Sequence, residues 1–331
     1  MASGGSSHHP PASHGRTSVT VDELLRLRHK ARGFSFLPRQ PVHSILTGPH
    51  ASRLRGRGLN FEELRPYYPG DDTRTIDWNA TARLREPFIR VYTEERDRAV
   101  MLLVDQRLSM FFGSHRATKS VAAAEVAAAS AWRVTSLGDR IGAVVFSDDG
   151  AVTVKPQARD AGATAVINAV AELNRALPGR IAGHATPGAL NDALRRAAPF
   201  LKHDGLLCLI TDAAGADQET VERVTALTAH NDVLSVFVYD PLEADLPPIG
   251  PVVVAEANRQ MEIDLSSTDL RTRFAQDFAR RRRQIERFSR KRSIPVLPIR
   301  ADFDPIDQLR DLLGRRVTHS IRGRAPEAVR S

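Results

Sequence analysis

The sequence predicts an α/β protein: a mostly parallel sheet with helices on both faces, with an N-terminal helix and an extended segment docked on it. Two observations carry this. From residue 99 to residue 313 short apolar runs alternate with longer segments of helical period, which is the pattern of strand–helix–strand units with right-handed crossovers. Two of the runs, Ala99 to Val104 and Leu206 to Ile210, are apolar at every position, as strands buried on both faces are. The length of 331 residues fits one large α/β domain with an extension, or two domains.

In chain order, residues 1–18 are Ser, Gly, His and Pro without an apolar stretch and read as a disordered tail, not a secretory signal. Val21 to Arg32 is a short amphipathic helix with Asp22 and Glu23 in its first turn. An irregular Arg/Gly/Pro region follows, then a strand at Phe88 to Thr93 and the charged run Glu94 to Arg98. The strand ending at Asp105 opens the alternating part. It continues with helix Ala117–Leu137, strands Ile141–Ser147 and Val152–Lys155, helices Ala161–Ala176 and Pro187–Leu201, and strand Leu206–Thr211. Helix Gln218–His230, strand Leu234–Tyr239, a hairpin within Val252–Leu265, a basic helix Leu270–Arg292, strand Pro295–Ile299 and helix Asp307–Leu313 complete it. The expected organisation is a tail (1–18), an N-terminal segment (19–98), the α/β domain (99–316) and a flexible C-terminal tail (317–331).

Composition excludes several classes. No apolar run approaches the roughly 20 residues that cross a bilayer, and the single Cys208, inside Leu206–Ile210, can form neither an internal disulfide nor a cysteine metal cluster. A reducing cytoplasm is the expected compartment. The 47 basic and 39 acidic residues leave a charge of +8. Residues 270–292 hold ten basic and two acidic side chains, so the remainder is neutral at 37 against 37. With Phe274, Phe278, Ile285 and Phe288 as a buried stripe, this segment reads as a helix with a solvated basic face. Its alternative reading is a nucleic-acid stripe through Arg280, Arg281, Arg282 and Arg283.

Ligand sites of such sheets lie at the carboxyl ends of the strands, which directs attention to Asp105–Phe112, Ser147–Gly150 and Thr211–Gly215. Gly113 to Ser120 is one residue from a phosphate-binding loop, but Thr118 replaces the glycine that lets backbone amides close on phosphate, and Lys119 reads as a solvated helix-start residue. Asp105, Ser109, Thr186 and Asp212 are oxygen ligands of the kind Mg²⁺ takes. Arg107 intrudes among them and can bridge Asp105 and Asp212 in a cation's place, so the metal-free reading is preferred to Mg²⁺; the alternative is that Asp105 and Asp212 only cap helices and bind nearby amides. The segment Tyr67–Trp78, with Arg83 and Glu94–Arg98, is turn chemistry plus ion pairs, without a histidine or nucleophile to make a catalytic pair. His184, His203 and His230 are isolated in sequence and read as surface residues, not ligands.

The string Arg55-Gly-Arg-Gly-Leu-Asn-Phe61-Glu-Glu-Leu-Arg65-Pro-Tyr-Tyr-Pro-Gly70-Asp71-Asp72-Thr-Arg74-Thr-Ile-Asp77-Trp78 resembles the signature of the bacterial domain-of-unknown-function 58 (DUF58) family. Glu94-Glu95-Arg96, the strand ending at Asp105, Ser109-Met110, Lys119 and Asp240 to Pro247 are similar to further family pieces, and the resemblance runs from about Arg53 to Arg316. It implies a von Willebrand factor A-like, Rossmann-like fold, with Gly70, Asp71, Asp72, Arg74, Asp77, Trp78, Arg83 and Glu95 as structural signature residues. It also implies a metal-ion-dependent adhesion site at Asp105, Ser109, Thr186 and Asp212, from which Arg107 departs. The implied function is that of a non-enzymatic protein-interaction module working with a MoxR-type AAA+ ATPase on client proteins, and Arg107 and Met110 are the expected partner-contacting residues.

Overall fold

The structure is a computed structural model and describes residues 15–34, 59–68, 71, 73–94, 98–180, 186, 188–256, 259–292 and 294–314. The chain divides into two compact units, residues 38–98 and the remainder. In chain order the elements are α1 (Val21–Arg26); β1 (Leu59–Pro66), α2 (Trp78–Leu84) and β2 (Phe88–Glu94); then β3 (Ala99–Asp105), α3 (Lys119–Ser136), β4 (Arg140–Phe146), β5 (Ala151–Gln157), α4 (Arg159–Ala176) and α5 (Ala189–Ala197). There follow β6 (Leu206–Thr211), α6 (Gln218–Leu227), β7 (Asp232–Tyr239), α7 (Pro241–Ala244), β8 (Pro251–Glu256), β9 (Arg259–Asp264), α8 (Thr268–Arg292), β10 (Val296–Arg300) and α9 (Pro305–Gly314).

The larger unit holds a six-stranded sheet in the order β10-β7-β6-β3-β4-β5. All neighbours pair in parallel except the edge strand β5, which returns antiparallel on β4. Counted along the chain, this is the doubly wound order 3-2-1-4-5-6, whose switch point lies between β3 and β6. The expected α/β class is the observed one. The strands are apolar throughout because both faces are covered: Val100, Leu102 and Val104 of β3 face a core with α1, α3, α4 and α9, while Met101 and Leu103 face a second core with α5, α6 and α8. Period-two alternation of side chains divides each strand between the two cores.

Helix α3 is buried along nearly its whole length. Its alanines combine the best helix propensity with the smallest side chain, which lets a helix pack against the sheet and neighbouring helices together. The N-terminal segment belongs to this unit: Thr20 caps α1 with Glu23 in a reciprocal box, Leu24 is in the core, and Arg16 pairs with Glu125 of α3 at 2.8 Å. The expected tail is therefore integrated from Arg16 onward, and its first fourteen residues lie outside the described residues, as does the expected C-terminal tail 317–331. Helix α1 stops at Arg26 and continues as a 3₁₀ turn to His29, short of the expected Arg32.

The smaller unit pairs β1 and β2 antiparallel, with α2 between them in sequence. Neither β1 nor α2 was expected in the Arg/Gly/Pro region. Asp77 caps α2 by accepting from Asn79 and Ala80 amides at 3.0 and 3.1 Å. Asp71 accepts two 2.8 Å bonds from Arg65 and one at 2.9 Å from the Tyr68 amide. The Arg65 guanidinium and that amide hold its carboxyl below the usual range. Arg74 sits in a 3₁₀ turn and Arg83 is exposed on α2, while Trp78 is 70% exposed. Gly70, Asp72 and Glu95 lie outside the described residues.

Candidate functional site at the strand switch point

Strands β3 and β6 end in Asp105 and, one residue past Thr211, Asp212. Parallel pairing in register from Val100↔Leu206 to Val104↔Ile210 brings these carboxylates side by side at the switch point. Both are fully buried, and burial of a charge is stable only with a partner.

Asp105 is held by the chain immediately after it. Arg107 Nε donates to its Oδ1 at 2.9 Å and Nη2 to its Oδ2 at 2.6 Å. The Arg107 amide adds a bond to Oδ1 at 3.1 Å and Thr211 Oγ1 one to Oδ2 at 2.7 Å. The guanidinium lies over the Phe146 ring at 5.2 Å and is only 6% exposed. Burial alone would lower its pKa, but the adjacent Asp105 charge outweighs that and raises it above the ordinary arginine value.

Asp212 is held by two cations from distant parts of the chain. Lys119, at the start of α3, donates to Asp212 Oδ2 at 2.8 Å and to Glu243 Oε1 at 2.7 Å. Arg281 of α8 reaches the same two oxygens at 3.4 and 2.8 Å. The Ala214 amide and, at 3.4 Å, Ser109 Oγ donate to the other Asp212 oxygen. Burial would raise the Asp212 carboxyl, yet the charges of Lys119, Arg281 and Arg107 hold it well below the carboxylate range.

Several expectations change here. Lys119 is not solvated but 1% exposed. Arg107 does not bridge the two aspartates: its hydrogen bonds go to Asp105, and Lys119 and Arg281 take Asp212. Met110 is fully buried, so it packs under the 3₁₀ turn Leu108–Met110 and offers no partner surface. Thr186 is exposed and away from the cluster's hydrogen bonds; its hydroxyl and amide bond the Asp148 carbonyl and carboxylate at 2.6 and 3.0 Å. Asp148 Oδ2 also accepts from the Leu108 amide at 2.7 Å, so this aspartate, inside the stretch Ser147–Gly150 but not named as a site residue from the sequence, ties the loops after β3 and β4 to the segment before α5.

The basic helix divides as well. Phe278 and Ile285 are buried, with Phe278 against the rings of Phe237 and Tyr239. Phe274 is half exposed, contrary to the expected stripe, and the side chain of Phe288 lies outside the described residues. Of the four consecutive arginines, Arg281 points inward, Arg280 pairs with Asp277, Arg282 pairs with Glu286 at 3.0 Å, and Arg283 is exposed. They do not form one continuous basic face. Gln284 Nε2 donates to the Ala216 carbonyl at 2.8 Å, so α8 also grips the loop after β6. His203 and His230 are exposed, as expected, and although far apart in sequence their rings meet edge to face at 4.9 Å. His184 lies outside the described residues.

A family model described as "Protein of unknown function DUF58" matches residues 63–284. The chain belongs to this family. Among its relatives, the uncharacterised protein Rv1480 of Mycobacterium tuberculosis is 29% identical over 296 residues, covering 88% of this chain and 90% of that protein. The uncharacterised protein Mb1516 of Mycobacterium bovis matches to the same extent. Solved structures similar to this DUF58 chain include a von Willebrand factor type A protein from Catenulispora acidiphila, at 14% identity and a TM-score of 0.39 over 69% of this chain and 43% of that one. BatB from Bacteroides thetaiotaomicron is 18% identical with a TM-score of 0.33, over 59% of this chain and all of that one. Among the described residues of this DUF58 chain, no helix is long and apolar enough to cross a membrane.

Proposed function

We propose that this DUF58 protein is a non-enzymatic, cytoplasmic protein-interaction module whose strand-end face binds a partner without a metal ion, within a MoxR-type AAA+ ATPase system. One observation supports the binding-module reading above the others: at the switch point, where doubly wound sheets take ligands, both carboxylates are buried and already engaged by the chain's own cations. Carboxylates buried and hydrogen-bonded in this way are not within reach of a substrate proton, as a general base must be.

The same donors speak against a cation in the adhesion-site manner. A divalent ion needs free carboxylate and hydroxyl oxygens. Each oxygen of Asp105 already accepts two hydrogen bonds, and Thr186 bonds Asp148 and neither Asp105 nor Asp212. The residues present do not fit the group that the family resemblance implies. The ATPase partnership comes with that resemblance, and the cytoplasmic location rests on cysteine usage.

Affinity capture of the tagged full-length chain from nuclease-treated native lysate, with and without EDTA, tests the reading. Retention of a MoxR-type ATPase in both conditions is the expected result. Retention only without EDTA overturns the metal-free part. Absence of any ATPase, with nucleic acid retained when nuclease is omitted, overturns the whole in favour of the basic helix.

A further inference from the structure

We propose that the free edge of the Arg107 guanidinium, beside Gly215, is a socket for a carboxylate side chain presented by the partner; this rests on reading the strand-end face as a partner site. A guanidinium has two edges that suit a carboxylate bidentately, one through Nε and Nη2 and one through Nη1 and Nη2. Asp105 fills the first side-on. Nη1 makes no hydrogen bond among the described residues, so the second edge keeps its donors.

The surroundings make that edge a prepared one. Asp105 fixes the guanidinium from one side and the Phe146 ring, 5.2 Å away, supports its plane, so little side-chain freedom remains to be lost when an anion arrives. The residue over the free edge is Gly215, exposed and with φ +71°. A Cβ at this position would stand 3.7 Å from Nη1, so the missing side chain is what leaves the edge approachable. Ser109, partly exposed on the 3₁₀ turn after β3, is a further hydroxyl at the same loops, bonded to Asp212 at 3.4 Å. Arg107 stays protonated beside the charges of Asp105, Asp212 and Asp148, and its hydrogen bonds to Asp105 leave the Nη1 side open, since Lys119 and Arg281 take the hydrogen bonds of Asp212. The chemistry that suits the socket is a planar, bidentate carboxylate: an aspartate or glutamate on a protruding loop.

Gly215 supplies a test that leaves the buried ion pair intact. Asp and Asn both tolerate the left-handed backbone better than other side chains. Gly215→Asp places a tethered carboxylate at the free edge, and Gly215→Asn places its neutral counterpart there. The full-length chain, labelled with ¹⁵N-arginine, is titrated with acetate in EDTA at constant ionic strength, and in parallel with inorganic phosphate. The Arg107 side-chain signal is identified by its absence in Arg107→Lys. The expected result is a saturable shift of that signal with acetate in wild type and Gly215→Asn. In Gly215→Asp the signal starts near the bound position and its response to acetate is weakened by about tenfold or more. Absence of a saturable shift, an equal response in Gly215→Asp, or a response to phosphate alone overturns the proposal. Its failure is distinct from failure of the interaction reading: an ATPase still captured from lysate while acetate leaves Arg107 unmoved removes the socket only.

Discussion

Replacing Lys119 with methionine removes a buried cation while keeping the length of its stem, and the structure sets the size of the effect. Lys119 serves two carboxylates, Asp212 and Glu243, at 2.8 and 2.7 Å. Removing one partner of a buried pair costs about 3–5 kcal/mol. Arg281 still reaches both acids, so the expected loss lies at the lower end, about 3 kcal/mol. With a urea dependence of about 3 kcal/mol per molar, that moves the unfolding midpoint down by about 1 M. Fluorescence of Trp132, on buried α3, reports the transition in a Trp78→Phe background. The pH dependence carries the sign of the argument. The folded-state pKa of Asp212 is depressed, so its stabilising contribution is present above the unfolded value of about 4 and is lost as pH falls through the folded one. The gap between wild type and Lys119→Met is therefore constant near neutrality and narrows below about pH 4. A loss under about 1 kcal/mol, or a gap that widens on acidification, would refute the pairing.

Asn174→Leu strips the Val19 amide of its acceptor and the Gln106 side-chain oxygen of its donor; the expected cost is about 1–3 kcal/mol per orphaned group, with amide exchange at Val19 rising more than at Leu24. Unchanged exchange at Val19 would show that this link does not hold the N-terminal segment. The Cys208 thiol, pushed up to about 12 by burial, is expected to resist a disulfide reagent at pH 8 in the native chain and to react with one equivalent after urea unfolding. Joint replacement of Lys119, Asp212, Glu243 and Arg281 by apolar residues of similar size should recover most of the stability that Lys119→Met loses, because well-packed apolar substitutes often match a buried ion cluster. A quadruple variant less stable than the single one by urea titration would assign the cluster a stabilising role of its own.

The sheet was readable because its strands are apolar on both faces and its helices have a period of 3.6, so local pattern and global burial agree. The smaller unit was not: β1 is Leu-Asn-Phe-Glu-Glu-Leu-Arg-Pro, whose charges and terminal proline carry little strand propensity. Among the site residues, Asp105 and Asp212 were legible as strand-end acids. The partners of Asp212 were not, because Lys119 and Arg281 lie 93 and 69 residues from it in sequence. A signal for Arg281 existed nonetheless. It falls three residues after Phe278 and four before Ile285, on the same helical stripe as these buried residues, so spacing placed it inside while composition suggested a solvated run. The capping box of Asp240 and Glu243 was equally visible as an Asp-x-x-Glu pattern. What it could not disclose was that Glu243 Oε1 faces inward to Lys119.

The charge inventory at the switch point explains why a cation and an anion are not equivalent visitors there. Asp105, Asp212 and Glu243 supply three buried carboxylates, and Arg107, Lys119 and the largely buried Arg281 three cations. A dication ligated by Asp105 at about 2 Å would stand within about 4 Å of the guanidinium that already holds both of its oxygens. At an effective dielectric of about 20, repulsion between charges of +2 and +1 at that distance, roughly 8 kcal/mol, offsets much of the ion's attraction to the single charge of Asp105, and the ion must also displace the hydrogen bonds that Asp105 already accepts. A carboxylate arriving at Nη1 meets the reverse sign at its nearest neighbour and breaks no bond, since that edge has none to lose among the described residues. An arginine at this position presents N–H donors where Asp105 and Asp212 present acceptors, so its open edge suits an anion and not a cation.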